Sequence, residues 1–344
     1  MTVAGDRRER RSAAPATAFP TGSRLPLLLV GHGTVDPAGV AEFTAFTERV
    51  RRLVADRGID VDGGFIELAL PTVHDAWRGL SDRGHTTMAA VPLVLVAAGH
   101  AKGDIPAALA RERVRDPRTD FVLGRPLGPH PVLLGLLQER IDAVLGGWDP
   151  ADVSVLLVGR GSTDPDANAE VCKVSRLLQE GRDYAGVETA FVSLARPDVA
   201  GGLARCRALG ARRVVVAPYF LFDGVLPRRV VEQALGYGDA SDVEVRAAGY
   251  LGDCDELAGL VLERYTEALE GDIRMNCDTC AHRVLLPGFE EKLHAPQTPH
   301  HHPDDPAGHG HGHPHERPGQ NEQHRHHGHH GQHRHHGHHG HGHG

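Results

Sequence analysis

The sequence predicts an α/β protein of two duplicated, doubly wound, flavodoxin-like parallel-sheet domains, and three observations carry the prediction. Residues 30–37 read VGHGTVDP and residues 158–165 read VGRGSTDP, so one strand-to-loop unit recurs at a spacing of 128 residues. Hydrophobic runs, LPLLL and VSVLL, feed the two copies. Apolar runs then alternate with amphipathic stretches through each half, and continuous apolar strands of this kind belong to parallel sheets covered by helices on both faces.

In chain order, residues 1–24 carry no hydrophobic periodicity and are expected to form a disordered extension. Its arginines are followed only by the short LPLLLV, which runs into a glycine loop, so a secretory signal is not expected. Apolar runs at 25–30, 63–69, 89–97 and 120–124 read as strands, and AEFTAFTERVRRLV at 41–54 reads as an amphipathic helix between the first two. The second copy keeps the landmarks: LALP at 68–71 matches LARP at 194–197, Gly84 matches Gly210, Pro92 matches Pro218, and LG at 127–128 matches LG at 251–252. The offset shrinks in small steps, which places insertions in loops. The expected units are residues 25–149 and 150–272, followed by a short segment 273–292 and a tail 293–344. Nineteen of the 26 histidines fall between His300 and His343, spaced by Gly, Pro and Arg. Such a stretch builds no core, is expected to be disordered without metal, and suits Co, Ni, Cu or Zn. Its interrupted composition separates it from a purification tag.

Composition narrows the function classes. A chain of 344 residues with 40% hydrophobic content and no apolar run near the 18 needed to cross a bilayer is expected to be soluble, with no membrane partner. A formal charge of −8 without a basic stripe argues against nucleic acid. Five scattered cysteines make no disulfide framework and fit a reducing cytoplasm.

The repeat has one chemical difference. His32 in the first copy stands where the second has Arg160, a titratable, metal-competent imidazole against a permanent cation. In an open parallel sheet, ligands bind beyond the carboxyl ends of the strands at the switch point, between strands one and three in a flavodoxin-like order. His32 follows strand one, and His100 is expected directly after the third strand, VPLVLVAAG at 91–99. Adjacent strands lie about 4.8 Å apart, so both side chains can meet over one ion or ligand. Glu67, at the end of the flanking second strand, reaches the same mouth. Asp36 and Asp164, each before a proline, read as helix caps. His74, His85 and His130 have no partner spacing as ligands, and Cys172, Cys206 and Cys254 are expected to be packed thiols.

GHGT at 31–34, FIELALP at 65–71 and VPLVLVAAGHAKGDIP at 91–106 closely resemble the class II tetrapyrrole chelatases, specifically the sirohydrochlorin chelatases, across residues 25–290. The resemblance implies a bilobal chelatase-like fold whose halves enclose a cleft, with His32 and His100 binding the incoming divalent metal and Glu67 assisting. It also implies a substrate rich in carboxylates, for which Lys102, Arg125 and Arg160 are candidate partners. The segment MNCDTC at 275–280 resembles the MxCxxC motif of the family's long, cobalt-inserting form, which carries a histidine-rich tail. There the motif is associated with an iron–sulfur cluster, so Cys277 and Cys280 are candidate ligands of a 4Fe-4S centre. Two cysteines leave a Cys₄ set incomplete, so further ligands would come from elsewhere or from a second copy in a homodimer; a zinc site with His282, or an inert thiol pair, is the alternative.

The expected activity is therefore insertion of Co²⁺ into sirohydrochlorin on the anaerobic cobalamin route. Fe²⁺ insertion for sirohaem, or Ni²⁺ insertion, is the close alternative. From another class comes metal storage or delivery through the tail. A histidine phosphatase expects an arginine before its histidine, where this chain has Gly31.

Overall fold

The computed structural model describes residues 24–271 and 290–292. Two four-stranded parallel sheets form, one in each sequence half, with strand orders β2-β1-β3-β4 and β6-β5-β7-β8. In the first half these are β1 (Leu27–Gly31), β2 (Val61–Phe65), β3 (Thr87–Pro92) and β4 (Asp120–Leu123). The helices between them are α1 (Pro37–Leu53), α2 (Val73–Asp82), α3 (Ile105–Arg115) and, after β4, α4 (Pro131–Leu145). The second half repeats the order as β5 (Val153–Gly159), α5 (Pro165–Gln179), β6 (Gly186–Phe191), α6 (Val199–Ala208), β7 (Arg213–Pro218), α7 (Val225–Asp239), β8 (Glu244–Ala247) and α8 (Asp255–Glu270). Among the described residues no helix is long and apolar enough to cross a membrane.

The helices start where local chemistry demands. Asp36 and Asp164 cap α1 and α5, accepting from the N–H groups of Ala38 and Asp166 at 3.0 and 3.1 Å, and a proline follows each cap. Thr72 and Asp75 close a capping box on α2. His130 caps α4 through its Nδ1, which accepts from Val132 N at 3.2 Å. Phe43, Phe46, Thr47 and Val50 recur at helical spacing and bury one face of α1.

Alternation along the central strands covers both faces of each sheet. Leu28 and Val30 of β1, with Met88 and Ala90 of β3, turn to an outer layer formed with α2 and α3 that includes Trp77, Leu80, Ile105 and Leu109. Leu27 and Leu29 turn the other way, into a core that continues without a break into Val155, Leu157 and Val215 of the second sheet. The last helix of each half is responsible for this continuity. α4 packs against β7 and β8, whereas α8 packs against β3 and β4. Arg264 of α8 is fully buried and donates to the carbonyls of Pro126 and Leu127 at 3.1 and 2.8 Å, fastening the loop after β4 to the helix of the other half.

Strand limits shift by one or two residues from the sequence reading, and two strands end well short of it. The apolar runs 63–69 and 89–97 outlast their strands, which end at Phe65 and Pro92. Pairing of β3 with β1 stops at Val30–Pro92, after which residues 93–99 form an irregular loop. That loop stays apolar because Leu93 and Ala97 are buried and Val94, Leu95 and Val96 line a cleft between the halves. The expectation of three packed thiols also needs correction. Cys206 is buried and Cys254 partly so, but Cys172 lies on the exposed face of α5. Burial pushes the Cys206 thiol up to about 12, so it stays protonated and inert.

A shared core predicts one unfolding event. Urea denaturation followed by tryptophan fluorescence and by far-ultraviolet dichroism is expected to give coincident transitions, and Leu137→Ala to shift both by about 2–5 kcal/mol. Separate transitions for the halves would contradict a continuous core.

Candidate metal centre

The loop after β1 carries His32, and its backbone is tied to the loop after β2. Ile66 N donates to Gly31 O at 3.0 Å and Glu67 N to His32 O at 3.2 Å, so ladder-like pairing runs past the strand ends and holds Glu67 beside His32. Gly33 permits this approach: with φ +117, a Cβ there would stand 1.8 Å from the Glu67 carbonyl oxygen. Leu68 takes a left-handed φ of 62 to turn the chain at that point. His100 arrives from the other side, opening a single π-helical turn, His100–Asp104, that leads into α3. It is thus seven loop residues beyond β3 rather than directly after it, and 8% exposed.

The two imidazoles meet with Nε2 atoms 2.8 Å apart and ring planes at 75°. The Oε1 of Glu67 lies 3.3 Å from His32 Nε2, and one ligand atom from each of His32, Glu67 and His100 falls within 4.8 Å of the others. Two nitrogens on one ion at bonds of about 2.1 Å and a tetrahedral angle are about 3.4 Å apart, so a small rotation of either ring admits a metal. Asp104 supplies what the sequence reading missed. Its Oδ2 lies 2.7 Å from His100 Nδ1, which fixes the ring and turns Nε2 toward His32. The signal was present as the aspartate four residues after the histidine in AGHAKGD.

The centre sits in a cleft whose walls come from both halves. Phe43, Phe65, Leu95 and Val96 line one side; Tyr219, Phe222 and Leu226 line the other. Arg160 belongs to that second wall, as its place in the repeat suggested. The backbone around it copies the first half, since Val192 N donates to Gly159 O and Ser193 N to Arg160 O, both at 3.0 Å. Ser193 therefore occupies the station of Glu67, and Arg160 that of His32.

Lys102 and Arg125, expected at the substrate, are engaged elsewhere by protein carboxylates. Lys102 Nζ lies 2.7 Å from Asp164 and 2.9 Å from Asp166, across the boundary between the halves. Burial opposes its charge, yet those two partners prevail and hold its pKa above the ordinary lysine value. Arg125 grips Glu267 of α8 with two bonds of 2.8 and 2.7 Å. Neither lines the cleft. His74, His85 and His130 pair with Glu112, Asp60 and Glu263, outside the cleft. Cys277, Cys280, the tail 293–344 and the extension ending at residue 23 lie outside the described residues.

The CbiX family profile matches residues 26–144 and 154–268, the two repeats almost in full. The chain belongs to the CbiX family. It is similar to the sirohydrochlorin cobaltochelatase of Priestia megaterium, with 38% identity over 262 residues, covering 75% of this chain and 84% of that protein. It is also similar to the sirohydrochlorin ferrochelatase of the same organism, with 32% identity, covering 68% of this chain and 87% of that one. A solved structure of SirB from Bacillus subtilis with Fe³⁺ superposes with a TM-score of 0.63 at 27% identity, covering 73% of this chain and 98% of that one. The CbiX match and this superposition bear out the two doubly wound sheets expected from the repeat and the chelatase-like fold that the resemblance implied.

In this family member Gly33→Ala is expected to lose metallation and to lower the melting temperature, because the added methyl forces Glu67 away from His32. Asp104→Asn should leave the melting temperature within a few degrees while reducing metal affinity about 10-fold or more. Metal titration and thermal unfolding of both variants check the pair.

Proposed function

We propose that this chain is a sirohydrochlorin chelatase that inserts Co²⁺, acting in the cytoplasm on the anaerobic cobalamin route. The apposition of His32 and His100 Nε2 atoms, with Glu67 beside them, at the mouth of an apolar cleft is the observation that carries this reading.

Insertion must strip water from the ion, hand it to ring nitrogens and remove two pyrrole protons. Neutral imidazoles hold a first-row metal without adding charge and release it stepwise. As each ring nitrogen replaces an imidazole on the ion, that imidazole becomes a base beside the pyrrole N–H. His32 can pass its proton to Glu67, 3.3 Å away, whereas His100 is held in place by Asp104. The apolar walls cover the macrocycle faces, and Arg160 on the second wall faces the carboxylated rim. Support for cobalt comes from the higher identity to the cobalt-inserting relative and from MNCDTC with its histidine-rich tail. The ferrochelatase relative makes Fe²⁺ the alternative metal.

His32→Ala and His100→Ala are each expected to lower metallation of sirohydrochlorin by more than a hundredfold with the fold intact, while His74→Ala keeps the parental rate. Absorbance assays with Co²⁺, Fe²⁺ and Ni²⁺ in parallel measure this and the metal preference together. Near-normal rates in both active-site variants would remove the reading. Deleting residues 295–344 should leave turnover intact at saturating metal; complete loss would favour a protein that works through its tail.

A further inference from the structure

The loop that delivers His100 is held from the opposite half. Glu170 of α5 accepts from the Ala97 N–H at 2.9 Å, three residues before the histidine. Lys102, two residues after it, is held by Asp164 and Asp166 at the start of the same helix. All four side chains are largely buried: Lys102 is 10% exposed, Asp164 3% and Asp166 1%, and Glu170 is 9% exposed as a whole residue. Desolvation raises the Glu170 pKa, and the Ala97 N–H and the Lys102 charge oppose that rise.

The arrangement is reciprocal. At the repeat spacing of 128 residues, Asp164 corresponds to Asp36 and Glu170 to Glu42. Glu42 Oε2 accepts from Asp223 N at 2.6 Å in the loop after β7, and Asp36 pairs with Arg228. Each half's first helix therefore grips the other half's loop after its third strand, as in an isologous interface of a two-fold dimer. Only one of the two gripped loops carries a histidine.

We propose that Asp164, Asp166 and Glu170 are positioning residues for the metal centre, setting His100 Nε2 against His32 from the half that carries neither histidine. The inference rests on the assignment of His32 and His100 to the metal. It also gives Lys102 a role distinct from a substrate anchor. Holding the Ala97 backbone on one side of His100 and the Lys102 side chain on the other brackets the histidine at the start of the π turn, and Asp104 then sets its ring. A loose loop would still fold but would spread the two nitrogens over distances that no single ion spans.

Steady-state metallation by the full chain, with free Co²⁺ held by a metal buffer so that the tail cannot alter it, tests the proposal. Glu170→Ala and Lys102→Met are expected to raise the KM for Co²⁺ about tenfold with the KM for sirohydrochlorin unchanged. Glu170→Gln, which keeps an acceptor for Ala97, should restore the metal KM to within about twofold of the parent. Glu42→Ala breaks the equivalent grip on the loop without a histidine, and should lower the melting temperature while leaving the metal KM unchanged. If Glu170→Ala does not fold, Asp166→Asn carries the same expectation. An equal rise in metal KM for Glu42→Ala and Glu170→Ala would overturn the proposal, as would an unchanged metal KM in Glu170→Ala. A rise confined to the sirohydrochlorin KM in Lys102→Met would make that lysine a substrate anchor and overturn it too. Turnover surviving in His100→Ala would instead remove the metal assignment, so the two failures are distinguishable.

Discussion

The parallel pairing of β1 with β3 brings the two histidine-bearing loops together. It places two strand ends side by side while their chains leave toward different helices, and so opens a crevice beyond the carboxyl ends of the central strands that side chains from both loops can enter. Neither histidine could find the other without that adjacency, since 68 residues separate them. Buried apolar side chains on both faces hold the pairing in register. Leu27 to Val30 are all fully buried, and a one-residue slip would turn the inner set of leucines to the outer layer.

The second half shows what the duplication kept and what it released. Its backbone retains the tie between the loops after the first two strands, including a glycine at the same station. Gly161, like Gly33, has positive φ and sits where a Cβ would meet the partner loop's carbonyl, 2.0 Å away in this copy. Retained backbone with changed side chains, Arg160 for His32 and Ser193 for Glu67, separates the scaffold from the chemistry. Exchange of the last helices makes the halves mechanically one body. A cleft between two independently tumbling lobes would fix neither the distance across it nor the loop that carries His100.

Much of this was legible in the sequence. The repeat, the alternating apolar runs and the switch-point rule led to the sheet order and to His32, His100 and Glu67 in one place, because those depend on local pattern and on strand adjacency. Asp104 was legible in principle through its four-residue spacing from His100. Glu170 and Asp166 were not, because they act on residues about seventy positions away and carry no period that links them. Lys102 and Arg125 looked like free cations since the sequence does not show which carboxylates fold against them. The helix exchange was equally hidden, because an amphipathic helix displays an apolar face without naming the sheet that covers it. Cys172 was misplaced within its helix by a single step of the helical pattern.

Whether the facing imidazoles of His32 and His100 share one metal ion can be seen in a crystal of the protein soaked with Co²⁺. An anomalous difference map is expected to show one peak bonded to both His32 and His100 Nε2 atoms at about 2.1 Å, with the Glu67 carboxylate in reach. A fully occupied cobalt elsewhere in the cleft, with these two nitrogens still in contact with each other, would show that the pair does not bind the metal.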